Sequence, residues 1–147
     1  MLMYRGLRGS RLHGFATPDS DYDWIEIWDH ISRRDYPPWG QTIDGHTDTV
    51  RVELSEFMRW AVSGSPMALE TIFSPDEAIE FDVLKPWRHA FRPDLRAAQA
   101  SYGSPIRRFQ HSENAKHRRH AARLQYDLDS LLTYGYFDPA GYAKSLK

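Results

Sequence analysis

Two aspartates, Asp21 and Asp23, open a segment that reads Asp-Tyr-Asp-Trp-Ile-Glu-Ile-Trp through Trp28. In an extended chain, residues i and i+2 project from one face, about 6.6 Å apart at a rise of ~3.3 Å per residue, so both carboxylates address one small volume. Carboxylate oxygens are hard donors suited to Mg²⁺ or Mn²⁺. One or two such cations can activate an attacking oxygen and hold a triphosphate in line. An isolated Asp-x-Asp is more often a turn cap or a solvated strand end, and it is Gly9-Ser10 upstream that gives this pair a chemical context. Glycine lets the backbone approach a phosphate closely, and the serine hydroxyl and nearby amides can bind its oxygens.

These groups need a frame. Tyr4 to Arg8 reads as a short strand ending at Gly9-Ser10, and residues 11 to 20 read as a turn-rich connector with Gly14, Pro18 and Asp19. In the second strand, Asp21 to Trp28, one face carries Asp21, Asp23, Ile25 and Ile27, the other Tyr22, Trp24, Glu26 and Trp28; both are largely apolar, which predicts a central position. Residues 29 to 47, with Pro37-Pro38, Gly40 and Gly45, read as a long excursion before a third strand, Asp48 to Leu54. The period then becomes helical at Leu54, Phe57, Met58, Ala61 and Val62. Ser65-Pro66 restarts a helix carrying Leu69, Ile72 and Phe73. Beyond Phe81 the strand signal fades: Pro86 and Pro93 punctuate short helical pieces, and Ser104-Pro105 opens a helical pattern running to Gly135. The expected fold class is α/β (α+β), a small mixed β-sheet with packing helices and a helical C-terminal extension. A seam near residue 84 divides a core, 1–83, from a helical region, 84–147, packed on it as a single unit.

The chain has 147 residues, 41% hydrophobic and 14% aromatic, with no run of 18 apolar residues, which excludes a helical membrane span and predicts one globular unit. The N-terminus does not read as a secretory leader, so the expected address is the cytoplasm. The absence of cysteine excludes disulfides, thiolate nucleophiles and cysteine-ligated metals. No Walker loop, dinucleotide fingerprint or nucleophile elbow is present. The five tryptophans, 24, 28, 39, 60 and 87, read as core and loop anchors before base-stacking platforms.

The formal net charge of −1 conceals a division. Residues 17 to 82 hold 15 acidic against 4 Lys or Arg, whereas residues 85 to 123 hold 10 Lys or Arg against Asp94 and Glu113 alone. The acidic half suits hard cations and the basic half phosphates. On a helix, Lys116, His120 and Arg123 fall at i, i+4 and i+7, a stripe able to meet NTP phosphates or a nucleic-acid backbone; a solvated face is the alternative. Arg11 and His13, between Gly-Ser and the carboxylates, can touch a phosphate or bond within the loop. His117 and His120 sit among arginines that would repel a cation, which argues against zinc.

The string Gly-Ser-Arg-Leu-His-Gly-Phe-Ala-Thr-Pro-Asp-Ser-Asp-Tyr-Asp, residues 9 to 23, resembles the nucleotidyltransferase superfamily of the DNA polymerase beta type. Within it, the string is similar to a branch named for an RNA repair pathway and often encoded by bacteria and phages. Glu53 to Phe57, Gly64 to Pro66 with Leu69-Glu70, and Lys116, His120 and Arg123-Leu124 are similar to that branch's helical motifs. The resemblance implies transfer of a nucleoside monophosphate from an NTP such as ATP to a hydroxyl acceptor, with loss of pyrophosphate and with Mg²⁺ or Mn²⁺ as cofactor. It implies that Gly9 and Ser10 contact the triphosphate, with Arg11, Lys116, His120 and Arg123 as further nucleotide-binding residues, and that Asp21 and Asp23 bind metal. Asp48, at the start of the third strand, is the preferred third metal-binding and catalytic carboxylate; Glu53 is the rival, on the opposite face if alternation is unbroken. The expected acceptor is RNA. A catalytically silent nucleotide- or nucleic-acid-binding relative, or a toxin-type enzyme acting on tRNA or protein, is the alternative. The family often carries a helix before the first strand, and only eight residues precede Gly9 here; a minimal domain, a truncated start or a homodimer covering an exposed core each accounts for that. Arg8 stands where the superfamily prefers an apolar residue, and is expected to reshape the turn or add a phosphate contact.

Overall fold

The computed structural model describes residues 1–31 and 37–147. Residues 32–36, in the middle of the expected excursion, lie outside the described residues. Five strands, β1 (Leu2–Arg8), β2 (Tyr22–Trp28), β3 (Trp39–Asp44), β4 (Thr47–Glu53) and β5 (Ile79–Asp82), form one sheet in the order β3-β4-β2-β1-β5. The β2/β4 pair is parallel and the other three pairs are antiparallel, so the sheet is mixed, with β2 at its centre. Around it lie helices α1 (Gly9–His13), α2 (Leu54–Val62), α3 (Pro66–Ile72), α4 (Lys85–Ala90), α5 (Leu95–Phe109), α6 (Ala115–Tyr134) and α7 (Gly141–Ser145).

The sheet has two unlike faces. Tyr4, Ile25, Ile27 and Val52 point inward and are buried against Phe57, Ala61, Leu69 and Ile72 of α2 and α3, Tyr102 of α5, and Leu124, Leu128 and Leu131 of α6. This continuous cluster draws residues from both sides of position 84, and each large apolar side chain in it contributes roughly 1.5–3 kcal/mol by leaving water. On the other face Glu26 accepts from Arg5 Nε at 3.0 Å, Arg51 Nε at 3.2 Å and Trp28 Nε1 at 3.1 Å, while the Arg5 guanidinium lies 3.9 Å from the Trp24 ring centroid.

Several expected boundaries need correction. The excursion contains β3, an edge strand whose mostly exposed, polar residues lack the apolar alternation of a buried strand. The four-residue β5, beyond the expected strands, closes the other edge. The turn expected after Gly9-Ser10 is the short helix α1, stopped by Gly14 in the left-handed conformation. The long helical pattern is two helices: Pro105 lies inside α5, which starts at an Asp94 cap, and the restart comes at Asn114, whose side chain accepts from Lys116 N at 2.9 Å.

Candidate active site

Strand register assembles the site. Arg8 pairs with Asp23, Asp23 with Asp48, and Asp48 with Ile43, so these residues run side by side across β1, β2, β4 and β3 on the inward face. Asp21 lies two residues before Asp23, just ahead of β2. The parallel β2/β4 pairing thus brings Asp23 and Asp48 to adjacent strands, about 4.8 Å apart at the backbone. Glu53, five residues further along β4, lies at the opposite end of the strand and on the opposite face, where it accepts from Ile31 N at 3.4 Å and Ser55 Oγ at 3.1 Å. The structure does not bring this rival carboxylate to the aspartates.

Gly9 is fitted to Asp23. Its φ is +67°, which disfavours other residues, and a Cβ there would overlap the Asp23 carboxylate. Burial pushes the Asp23 carboxyl above its ordinary range; Arg8 opposes that shift, and Asp48 and Asp21 add to it as like charges. Asp23, with Asp21 and Asp48 in electrostatic reach, supplies carboxylate oxygens of the kind that fit a hard divalent cation. In their present rotamers each outer member faces elsewhere. Asp48 accepts from Gln41 Nε2 at 2.9 and 2.7 Å and forms an ion pair with an Arg8 terminal nitrogen at 3.2 Å, and Asp21 meets His46 Nδ1 at 2.9 Å. Accordingly, among the described residues no three His, Asp or Glu side chains stand gathered as a metal cluster.

Beside this row a cavity of about 150 Å³ is lined by Ser10, His13 and Phe15 from the first part of the chain and by Lys116, Arg119, His120 and Arg123 of α6. Four of the six expected nucleotide-binding residues therefore meet there. Gly9 lies beside them against Asp23. Arg11 does not join them: its guanidinium donates to Ser20 O at 2.7 Å and Asp21 O at 3.3 Å, stacks 3.7 Å from the Tyr22 ring centroid and lines a different cavity. The Arg119 guanidinium lies 4.4 Å from the Phe15 ring centroid.

The cavity floor is a buried charge network. Arg123 donates to Glu70 Oε1 at 2.6 Å and to Asp127 Oδ2 at 3.2 Å, and Glu70 Oε2 meets His13 Nε2 at 3.1 Å. Burial alone would raise Glu70, but the charges of His13 and Arg123 and hydrogen bonds to both bring it down to about 2. Asp127 is pushed up to about 8 by burial, only partly offset by Arg123, so the two carboxyls of the network are driven in opposite directions. Burial, then Arg123, also lowers His120. An arginine nitrogen at 3.1 Å can only donate, so His120 Nδ1 accepts and its proton sits on Nε2. Arg123 therefore braces the cavity, and Lys116 and Arg119 are its exposed cations.

Sequence reasoning did not identify Gln41 as the Asp48 partner or Arg119 as a cavity cation. It noted Glu70 only as part of a motif. A carboxylate between Leu69 and Ile72 on a largely apolar helix is the available signal for a buried charge partner.

A small mixed sheet with helices on its inward face, aspartates on adjacent central strands and Gly9-Ser10 opening α1 against them are consistent with a small nucleotidyltransferase core. Residues 1–111 match the RNA repair pathway DNA polymerase beta family, RlaP, and the chain belongs to that family. The match ends at the turn before α6, so the α6 residues lining the cavity lie beyond it. A comparison with curated proteins finds no match. Among the described residues, no helix is long and apolar enough to cross a membrane.

Proposed function

We propose that the protein transfers a nucleoside monophosphate from an NTP to a hydroxyl on RNA, releasing pyrophosphate, with Asp21, Asp23 and Asp48 holding Mg²⁺ or Mn²⁺. The observation that carries this reading is the cross-strand placement of Asp23 and Asp48 beside the cationic cavity at Ser10. Ser10, Lys116 and Arg119 bind and orient the β- and γ-phosphates, which places the α-phosphorus over the aspartate row. The acceptor oxygen forms its bond to that phosphorus as the α–β anhydride bond breaks. Asp48, once turned from Arg8 and Gln41, polarises the acceptor hydroxyl and takes its proton. Bound divalent cation supplies charge neutralisation at the phosphate oxygens and lowers the acceptor pKa. The His13–Glu70–Arg123 network keeps the cavity floor fixed.

The Arg8–Asp48 ion pair favours a second reading, a nucleotide-binding module in which arginine replaces the cation. Incubation with each α-labelled NTP, Mg²⁺ or Mn²⁺ and a small-RNA pool, beside an Asp21→Asn/Asp23→Asn variant, separates the two. Metal-dependent label on RNA with the wild type alone supports transfer. Equal NTP binding by both proteins without transfer supports the module.

A further inference from the structure

A second cavity, of about 330 Å³, opens at the other end of the aspartate row. Trp39, Trp60, Val50 and Met67 give it apolar walls, and Arg8 and Gln41, the two side chains that hold Asp48, also line it. Trp39 sits on the edge strand β3, 48% exposed, and Trp60 on α2 meets it edge to face at 6.0 Å between ring centroids. Trp60 is fixed by its indole N–H donating to Glu56 Oε1 at 3.1 Å. One aromatic wall is thus anchored and the other presents an open ring.

Its place in the row says what it receives. In phosphoryl transfer the attacking and leaving oxygens lie in line across the phosphorus, and the nucleoside ester projects sideways. Pyrophosphate leaves toward the cationic cavity at Ser10, on the β1 side of the aspartates. The attacking hydroxyl therefore arrives from the β4 and β3 side, where the tryptophan cavity lies. We propose that this cavity binds the nucleobase of the acceptor ribonucleoside, stacked on Trp39, so that its ribose hydroxyl faces Asp48. The proposal rests on the transferase reading. A base seated there lies against Arg8 and Gln41, so its polar edge competes with Asp48 for their donors and releases the carboxylate when an acceptor is in place.

The test uses the full chain and RNA oligonucleotides ending in 2-aminopurine, in an abasic ribose or in an ordinary base, with free nucleoside as a separate arm. Stacking on Trp39 quenches 2-aminopurine on binding whether or not transfer occurs. Trp39→Ala is expected to abolish that quenching and raise the acceptor KM about tenfold with the NTP KM unchanged; Trp39→Phe restores both, and the abasic end removes the difference between wild type and Trp39→Ala. Activity on free nucleoside with the same Trp39 dependence identifies a mononucleoside acceptor, and activity on oligonucleotides alone an RNA end. Quenching that survives Trp39→Ala, absence of binding by any nucleobase-bearing probe, or a change confined to the NTP KM overturns the proposal. Quenching lost in Trp39→Ala without transfer by the wild type upholds the base site and removes the transferase reading.

Discussion

Arg8 and Asp48 lie two strands apart, about 10 Å at the backbone, yet the arginine side chain spans β2 to meet the carboxylate at 3.2 Å. On the way its Nε lies 3.4 Å from Trp24 O. The guanidinium therefore sits in the negative potential of the aspartates, the place a divalent cation would take.

Replacing Arg8 by Met leaves that field unopposed. The Arg8→Met variant is expected to bind Mn²⁺ about tenfold more tightly in calorimetric titration, since a unit charge at this range is worth at least ~1.4 kcal/mol. Without metal, the Asp23 carboxyl is expected to titrate still higher, because Arg8 is the main influence lowering it; carbon-detected NMR of the carboxyl reads this directly.

Gly9→Ala tests the fit against Asp23. The positive φ and the overlap with the carboxylate act together, so the variant is expected to lose about 1–3 kcal/mol in chemical denaturation and roughly 100-fold in transfer rate. An active, equally stable Gly9→Ala protein would show that the turn does not set the Asp23 position.

These two residues also show what the sequence discloses. Residue type and spacing make Gly9-Ser10 and Asp21-x-Asp23 legible; β1 is marked by the Gly-Ser that ends it, β2 by two largely apolar faces and β4 by alternation. The edges stayed hidden: β3 follows Pro37-Pro38 and exposes most of its residues, and β5 is four residues long. Pairings between distant elements leave no local pattern. Gln41 with Asp48, Arg8 with Asp48 and Glu70 with Arg123 follow from register and helix docking. Asp48 was preferred over Glu53 because it began its strand, and register then set it beside Asp23.

Stability should depend on pH in two opposed ways. Glu70, held at about 2, contributes stability that is complete above the ordinary glutamate range and lost as pH falls from about 4.5 toward 2. Asp127 works in reverse. Its folded value of about 8 exceeds its unfolded value, so the fold binds the extra proton and stability declines as pH rises from about 4 to about 8. Denaturation midpoints measured across this range are expected to fall between pH 5 and 8 in the wild type; in Asp127→Asn that fall is expected to vanish, leaving the slight rise that the lowered His120 imposes through the ordinary histidine range. A flat wild-type profile would contradict a protonated Asp127.

Lys116 and Arg119 are the cations facing the Ser10 cavity without the buried pairing that ties Arg123. Lys116→Ala and Arg119→Ala are each expected to raise the NTP KM roughly tenfold while leaving the melting temperature within a few degrees, as loss of one charged hydrogen bond implies. Rising ionic strength should narrow the gap between variant and wild type.

The partner that Glu70 needs appears 53 residues later in the chain, on α6. On the ribosome, β1, β2, β4 and α3 emerge long before Arg123, and through that interval the Glu70 carboxylate lacks the guanidinium that permits its burial. The cationic wall of the cavity arrives with the same helix. A nascent chain therefore carries the aspartates well before α6 supplies the cations that line the cavity beside them.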